Sequence, residues 1–270
     1  MMPRCNLHTH TTYCDGKNTV EEMVLAAIET GFESLGFSGH SPLEGESWSM
    51  TEAGMADYIR EVLRLRREYA DSIEIALGLE YDTFSDCDTT PFDYIIGSVH
   101  FVKKNGVMIP VDLKADVLRE AVRENYGGDF YAFASDYYDS MYNLVEKTKC
   151  DIVGHFDLIT KFNEGGRLFD ESDSRYRKYA LEALDHLIDR EPIIEINTGA
   201  IARGHRKSPY PAKFILRHIA ERGGRVMINS DCHTAKGINT YFPEAVEYAR
   251  FCGIKELTVM KDGKFSTIGM

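Results

Sequence analysis

Seven short apolar runs, each followed by a segment of helical periodicity, constrain the fold more than any other feature of this chain. The runs are continuously hydrophobic rather than alternating, which is typical of strands buried on both faces. Strands that alternate with helices predict a parallel sheet with right-handed crossovers. Seven such units in 270 residues favour closure into a barrel, so we expect one α/β domain over residues 1–270. The predicted strands are residues 4–7, 34–38, 73–79, 94–99, 151–154, 192–197 and 225–229.

Apolar spacing and end signals mark the intervening helices. Thr19 and Glu22 form a capping box before the first helix, and Gly31 ends it. Two loops are longer than their connections need: residues 42–50, with the only tryptophan, Trp48, and residues 82–93, with four aspartates. Whether loop 42–50 closes over a substrate is left open. The other predicted helices are residues 51–69, 113–126, 129–149, 174–189, 211–221 and 243–251.

Composition excludes several classes of protein. The chain has 31 basic and 43 acidic residues and a net charge of −12, which disfavours a broad nucleic-acid-binding surface. Six cysteines without a CxxC pair indicate free thiols in a reducing compartment. No apolar leader and no run of about 18 apolar residues is present, so we expect a cytoplasmic protein without a membrane span. The sequence does not indicate an oligomeric state.

Residues with metal-binding chemistry are concentrated at the carboxyl ends of the predicted strands. Six of the nine histidines lie there, where chance would place about one. In a parallel barrel these strand ends converge on one mouth, where active sites form. The residues that should meet there are His8, His10, Asp15, His40, Glu80, His100, His155, Asp231 and His233.

Nine imidazoles and carboxylates at one mouth predict a metal centre, because such groups are costly to bury without partners and divalent cations remove that cost. His8 and His10 are two residues apart on a strand, so both side chains point the same way and can chelate one ion. Nitrogen and oxygen donors suit Zn, Mn or Fe. Cys14 and Cys232 lie beside ligands, but we do not expect them to bind metal.

The number of donors indicates three divalent ions. Three ions, three carboxylates and one bridging hydroxide leave a net charge of about +2, which matches the dianion of a phosphate monoester. This favours hydrolysis of a phosphate ester over hydrolysis of an amide, for which one or two zinc ions suffice. A metal-stabilised binding module is the non-enzymatic alternative. Nine donors leave three ions with open positions, which favours an enzyme.

The order of these motifs resembles that of the polymerase-and-histidinol-phosphatase (PHP) superfamily over nearly the whole chain, and most of all its stand-alone histidinol-phosphatase branch. The supporting segments are residues 97–101, 195–203 and 229–233. The resemblance implies a distorted (βα)₇ TIM-like barrel with a trinuclear site. It also implies hydrolysis of L-histidinol phosphate, in histidine biosynthesis, by a metal-bridging hydroxide. The substrate rests on the resemblance alone, and the alternative is another PHP phosphoesterase acting on a nucleotide, a sugar phosphate or a short oligonucleotide.

The resemblance also implies how the three ions are divided among the ligands. A first ion would take His8, His10, Glu80 and Asp231. Glu80 would bridge to a second ion, held with His100 and His155. A third would take Asp15, His40 and His233, and some members of the superfamily have a histidine where this chain has Asp15.

Substrate contacts are implied by the same resemblance. Arg203 occupies the position of a phosphate-binding arginine, and Lys161 stands where relatives often carry arginine. His205 is a further candidate for substrate binding. Apart from the resemblance, we expect the leaving oxygen to be stabilised by a metal ion or protonated by Asp231 or His233, and the sequence does not choose between them.

Three other ring side chains receive mainly structural interpretations. His186 and His218 lie in the middle of predicted helices, so we expect structural roles for them. Trp48 is expected either to pack in its loop or to stack on an imidazole substrate.

Overall fold

The computed structural model describes residues 2–270 and forms a barrel of parallel strands with helices on its outside. The strands are β1 (Cys5–Asn6), β2 (Ser34–Phe37), β3 (Glu74–Asp82), β4 (Tyr94–Ser98), β5 (Phe101–Lys104), β6 (Val107–Pro110), β7 (Ile152–Val153), β8 (Ile193–Asn197), β9 (Arg225–Asn229), β10 (Glu256–Lys261) and β11 (Lys264–Gly269). The helices are α1 (Val20–Thr30), α2 (Glu52–Glu68), α3 (Ala115–Tyr126), α4 (Phe130–Tyr142), α5 (Leu144–Thr148), α6 (Ser174–Ile188), α7 (Gly199–Ala202), α8 (Lys213–Arg222) and α9 (Phe242–Phe251).

Seven strands form the barrel in the order β1-β2-β3-β4-β7-β8-β9, and each neighbouring pair is parallel. The two edges meet beyond β1 and β9, where Thr9 and Cys232 form a parallel bridge. The backbone N–H of His10 donates to the carbonyl oxygen of Cys232 at 2.9 Å. The expectation of seven parallel strands in a near-closed barrel is therefore confirmed.

Side chains inside the barrel change in character from the floor to the mouth. On β3, Leu77 and Leu79 pack outward in the core between strands and helices, whereas Ala76 belongs to the apolar cluster inside the barrel. Glu80, two inward positions beyond Ala76, reaches the mouth, where ionisable groups replace the apolar ones. The alternation that buries one strand on both faces thus places a carboxylate among histidines.

Two antiparallel hairpins lie outside the sequence predictions. β5 and β6 are joined by Asn105-Gly106, and β10 and β11 by Asp262-Gly263, with positive φ at all four residues. These dipeptides are strong signals for tight hairpin turns.

The two hairpins lie at opposite ends of the barrel. Phe101, Met108 and Pro110 of the β5–β6 hairpin line the cavity at the mouth. The β10–β11 hairpin instead packs Val259 and Met260 against the apolar floor.

The remaining differences from the predictions are small. The helix expected over residues 129–149 is divided into α4 and α5 at Asn143. The third strand continues through Glu80 to Asp82, because the parallel register with β4 extends to the pair Asp82 and Ser98. Within residues 2–270, no helix combines the length and apolar character needed to cross a membrane.

Candidate metal centre

All nine residues expected at the mouth come together there. His8 and His10 follow β1, His40 follows β2, and Glu80 belongs to β3 itself. His100 follows β4, His155 follows β7, and Asp231 and His233 follow β9. Asp15 lies in the turn before α1. Ligand atoms from these nine residues form overlapping groups in which the atoms lie within 4.8 Å of one another: His8, His10 and Glu80; His40, Glu80 and His100; His8, His155 and Asp231; and His10, Asp15, His40 and His233.

Glu80 is the hub of this arrangement, and its two carboxylate oxygens face different histidines. Oε1 lies 2.9 Å from His155 Nε2 and 3.4 Å from His100 Nε2. The remaining histidines near this carboxylate approach Oε2: His40 Nδ1 at 2.9 Å, His8 Nε2 at 3.3 Å and His10 Nε2 at 3.5 Å. A carboxylate whose oxygens face separate sets of donors has the geometry of a ligand that bridges two ions.

Asp15 organises a neighbouring group of donors. Its Oδ2 lies 3.1 Å from His233 Nε2, and its Oδ1 lies 3.6 Å from His40 Nε2. The ring of His10 lies between the rings of His40 and His233, with centroids 4.3 and 4.2 Å away. Asp231 connects this group to the first, since its Oδ1 lies 3.4 Å from His10 Nε2 and 3.8 Å from His8 Nε2.

Several of these buried polar atoms have no hydrogen-bond partner within residues 2–270. They are His8 Nε2, His10 Nε2, Glu80 Oε2, Asp15 Oδ1 and His155 Nδ1. Buried polar groups are rarely left unpaired in native proteins, and four of these five atoms face other donors of the cluster. The donor set and its unpaired atoms therefore fit divalent cations that favour imidazole and carboxylate.

The electrostatic environment favours the metal-binding protonation state at Glu80 and His10. Burial raises the pKa of Glu80, but His40, His8 and His100 outweigh it and hold that pKa well below the ordinary value. Burial, followed by the neighbouring His233 and His40, lowers the pKa of His10 to about 3. An ionised carboxylate and a neutral imidazole are the forms that ligate a cation. At His8 and His100, burial lowers the pKa, but neighbouring carboxylates outweigh it and raise the pKa well above the ordinary value.

Two carboxylates that sequence reasoning missed orient histidines that are candidate ligands. Glu195 Oε1 lies 2.6 Å from His8 Nδ1, and Asp82 Oδ2 lies 3.1 Å from His100 Nδ1. In both histidines this leaves Nε2 facing Glu80, as in the carboxylate–histidine pairs that support many metal sites. The signal for Glu195 was available, because it is the only charged residue in the apolar run 192–197.

A cavity of about 440 Å³ opens over the metal centre. Trp48 of loop 42–50 forms part of its wall, with its ring edge-on to His40 at 4.6 Å and stacked on Phe101 at 6.3 Å between centroids. The indole N–H donates to Glu46 Oε2 at 2.6 Å. Apart from residues of the candidate metal centre, the cavity is lined by Glu46, Trp48, Phe101, Met108, Pro110, Asp112, Leu113, Leu158, Lys161 and Arg203.

The three candidate substrate-binding residues differ in their placement. Arg203 lies at the end of α7, lines the cavity and donates from Nη2 to Asp231 Oδ2 at 2.9 Å. Lys161 also lines the cavity, and its Nζ donates to the backbone oxygen and Oδ2 of Asp112 at 2.8 and 3.0 Å. His205 packs edge-on against Phe162 at 5.5 Å and does not line the cavity.

The two mid-helix histidines have partners away from the mouth. His186 of α6 pairs with Glu146 at 3.1 Å, and His218 of α8 pairs with Asp185 at 2.7 Å. These contacts join neighbouring helices, as expected for structural histidines.

Comparisons with known proteins agree with this geometry. The family model of the PHP domain matches residues 6–199. A Deinococcus radiodurans protein named as a probable histidinol-phosphatase is 29% identical over 94% of this chain and 95% of its own length. The histidinol-phosphatase of Bacillus subtilis is 25% identical over 89% of this chain and 97% of its own length. A solved structure of the Lactococcus lactis histidinol phosphate phosphatase, complexed with zinc, L-histidinol and phosphate, has a TM-score of 0.74 at 23% identity. That match covers 97% of this chain and 98% of the Lactococcus chain, and it shows a shared fold.

Proposed function

This chain belongs to the PHP domain family, and from that membership we propose that it is a metal-dependent phosphomonoesterase that hydrolyses L-histidinol phosphate to L-histidinol and phosphate. Relatives named as histidinol-phosphatases match it over nearly its whole length. The observation that carries the proposal is the position of Glu80. Each of its oxygens faces a different set of histidines, below a cavity whose wall carries Arg203.

We assign three divalent ions, Zn, Mn or Fe, to the nine donors. His8, His10, Glu80 and Asp231 would hold the first ion, and Glu80, His100 and His155 the second. The third would be held by Asp15, His40 and His233. Such ions supply Lewis acidity, which activates water and offsets the charge of the phosphoryl group.

Arg203 is proposed to bind the non-bridging oxygens of the phosphate. Its guanidinium lies beside Asp231 and His233, with Nη1 3.4 Å from His233 Nδ1, and it lines the cavity. Planar guanidinium donors match phosphate oxygens in geometry and charge. Lys161 is a second cation on the same cavity wall, and we assign it a weaker contact with the phosphate.

The cavity outside the metal centre suits the leaving group of histidinol phosphate. Trp48, Phe101 and Leu158 offer apolar surface to an imidazole ring. Glu46 and Asp112 add carboxylates that attract an ammonium group. Asp231 and His233 both line the cavity beside Arg203, and we keep both as candidates for delivering a proton to the leaving oxygen. His205 stays a candidate for substrate binding only if it moves away from Phe162.

We also propose that the PHP domain extends over residues 1–270. The family model ends at residue 199, but β9 closes the barrel, and Asp231 and His233 supply two of the nine donors. The proposed compartment is the cytoplasm, because all six cysteines are unpaired thiols.

The experiment is phosphate release from L-histidinol phosphate by protein loaded with Zn or Mn, beside a panel of other monoesters and bis-p-nitrophenyl phosphate. We expect kcat/KM for histidinol phosphate to exceed that for the panel by at least about a hundredfold, equivalent to about 2.7 kcal/mol. E80Q should abolish turnover, and H218Q, a substitution away from the mouth, should preserve it. Faster hydrolysis of the diester, or of a nucleotide or sugar phosphate, would replace the proposal with another PHP phosphoesterase activity.

A further inference from the structure

Glu195 lies beneath the metal centre, fully buried, and all four of its hydrogen-bond partners are donors. Its Oε1 accepts from His8 Nδ1 at 2.6 Å and from Asn229 Nδ2 at 3.0 Å. Its Oε2 accepts from the backbone N–H of His155 at 2.9 Å and from Asn197 Nδ2 at 2.8 Å. The carboxylate therefore joins β8 to β9 and to the segments that follow β1 and β7.

The orientations of the two asparagine amides are fixed independently of Glu195. Asn229 Oδ1 accepts from the backbone N–H of Leu7 at 2.8 Å, and Asn197 Oδ1 accepts from the backbone N–H of Gly199 at 2.8 Å. Each amide must consequently present its NH₂ group to Glu195. A residue at position 195 must accept four hydrogen bonds and donate none, which an ionised carboxylate does and a neutral amide does not.

Two of the four donors belong to residues assigned to different ions. The hydrogen bond from His8 Nδ1 directs Nε2 toward Glu80 Oε2 and Asp231 Oδ1. His155, whose Nε2 meets the other Glu80 oxygen, has a φ of +20°, outside the region that non-glycine residues usually occupy. Glu195 binds the backbone N–H at that bend.

We propose that Glu195 is a positioning residue that couples the first and second ions, because one carboxylate fixes the ring of His8 and the backbone of His155. Its carboxylate does not line the cavity, and it acts through His8 and His155. This inference rests on the assignment of metals in the proposed function but not on the identity of the substrate. The third ion, held by Asp15, His40 and His233, has no ligand bonded to Glu195.

The test is a titration of metal-free E195Q with Zn²⁺ or Co²⁺. The carboxamide of glutamine has one acceptor oxygen and one NH₂ group, which only donates. The NH₂ group must therefore face N–H donors whose hydrogen bonds the carboxylate accepted. We expect the affinity for two of the three equivalents to fall by about 10- to 100-fold, while the third changes little. Absorption of bound Co²⁺ and metal retained after gel filtration give readouts separate from activity.

D82N is the matched control, because Asp82 orients a single ligand, His100. We expect D82N to weaken one equivalent, where E195Q weakens two. E195D should recover part of the affinity, since it keeps the charge. The inference would be overturned if E195Q bound all three equivalents as tightly as the wild-type protein does. It would also be overturned if E195Q lost the same single equivalent as D82N.

A measurement on the wild-type protein covers the case in which E195Q does not fold. Nitrogen-15 spectra of the zinc-loaded protein should show His8 protonated at Nδ1, with that proton strongly deshielded by Glu195. A His8 ring protonated at Nε2 would overturn the inference. The wild-type protein could bind three ions and pass these tests without hydrolysing histidinol phosphate. That result would contradict the proposed substrate but not the coupling of the two ions by Glu195.

Discussion

Tyr94 and Gly78 face each other inside the barrel with no space between them for a side chain on residue 78. A Cβ on Gly78 would overlap the ring carbon Cζ of Tyr94, and a Cβ on Gly36 would overlap its hydroxyl oxygen. The Tyr94 hydroxyl donates to the backbone oxygens of Leu7 and Phe37, so the ring is held in place. One tyrosine packed against two glycines therefore forms part of the apolar floor of the barrel.

The substitution G78A should destabilise the protein, because neither strand β3 nor the Tyr94 ring has room to move away. Overpacking of this kind typically costs about 1–3 kcal/mol. For a chain of this size, we expect the melting temperature to fall by roughly 2–4 °C per kcal/mol. G269A is the matched control, since a Cβ there meets nothing within 4 Å. Equal melting temperatures for G78A and wild type would contradict the packing described.

Removal of metal should also lower the melting temperature, since the buried atoms of the cluster lose the cations that pair them. Each site held at about 100 times its dissociation constant adds about 2.7 kcal/mol to the free energy of unfolding. Thermal unfolding with a chelator, and then with added Zn or Mn, measures the difference. E80Q should respond far less to added metal, because it lacks the proposed bridging carboxylate. No difference between the chelated and loaded forms would count against a metal centre.

Replacing Arg203 with lysine should impair catalysis more than folding. Loss of a donor that binds developing charge typically lowers kcat by about 10²- to 10³-fold, and lysine cannot offer two parallel donors to phosphate. Steady-state kinetics on histidinol phosphate test this, with the exposed substitution R119K as control. Because Arg203 also contacts Asp231, metal content must be measured in the same preparation. Loss of metal in parallel with activity would show that Arg203 acts through Asp231 rather than on the phosphate.

Lys161 has either a structural role as the partner of Asp112 or a direct role with the phosphate, and a double-mutant cycle separates the two. We expect K161M to lower kcat/KM by at least about tenfold both in the wild-type background and in the D112N background, because charge-assisted contacts to phosphate contribute independently of Asp112. If the effect of K161M disappears in the D112N background, Lys161 serves to hold Asp112.

Trp48 provides an intrinsic reporter of the mouth. It is the only tryptophan in the chain, and its ring lies against His40 and His100, both proposed ligands. Fluorescence should therefore change when metal is added and again when inorganic phosphate or histidinol is added. W48F should remove the signal. W48L should raise KM by about two- to tenfold, which corresponds to the loss of one aromatic contact. A signal insensitive to all three additions would place Trp48 outside the substrate path.

The architecture was predictable because its signals are local and repeated. Each of the seven parallel strands is a short apolar run, and the histidines stand next to their ends, so the meeting of distant residues such as His8 and His233 followed from topology alone. The capping box at Thr19 and Glu22 is present as predicted, with Glu22 also accepting from the backbone N–H of Thr19.

What escaped prediction depends on contacts between elements that are far apart in sequence. The Asn105-Gly106 and Asp262-Gly263 turns can be recognised in the sequence. The residues near them do not indicate that one hairpin lines the cavity and that the other packs against the floor of the barrel. The role of Glu195 likewise requires the partners Asn197, Asn229 and His155 to be in place. A charged residue in a continuous apolar strand was the only hint, and it gives no partner.

The β10–β11 hairpin closes the floor of a barrel whose proposed ligands run from His8 to His233. On a ribosome, the first histidines emerge more than two hundred residues before the last, and the floor is sealed later still. Translation must therefore deliver almost all of this chain before the three ions have a complete cage. The first and third proposed ions must wait for the segment that carries Asp231 and His233, whereas all the proposed ligands of the second ion emerge much earlier.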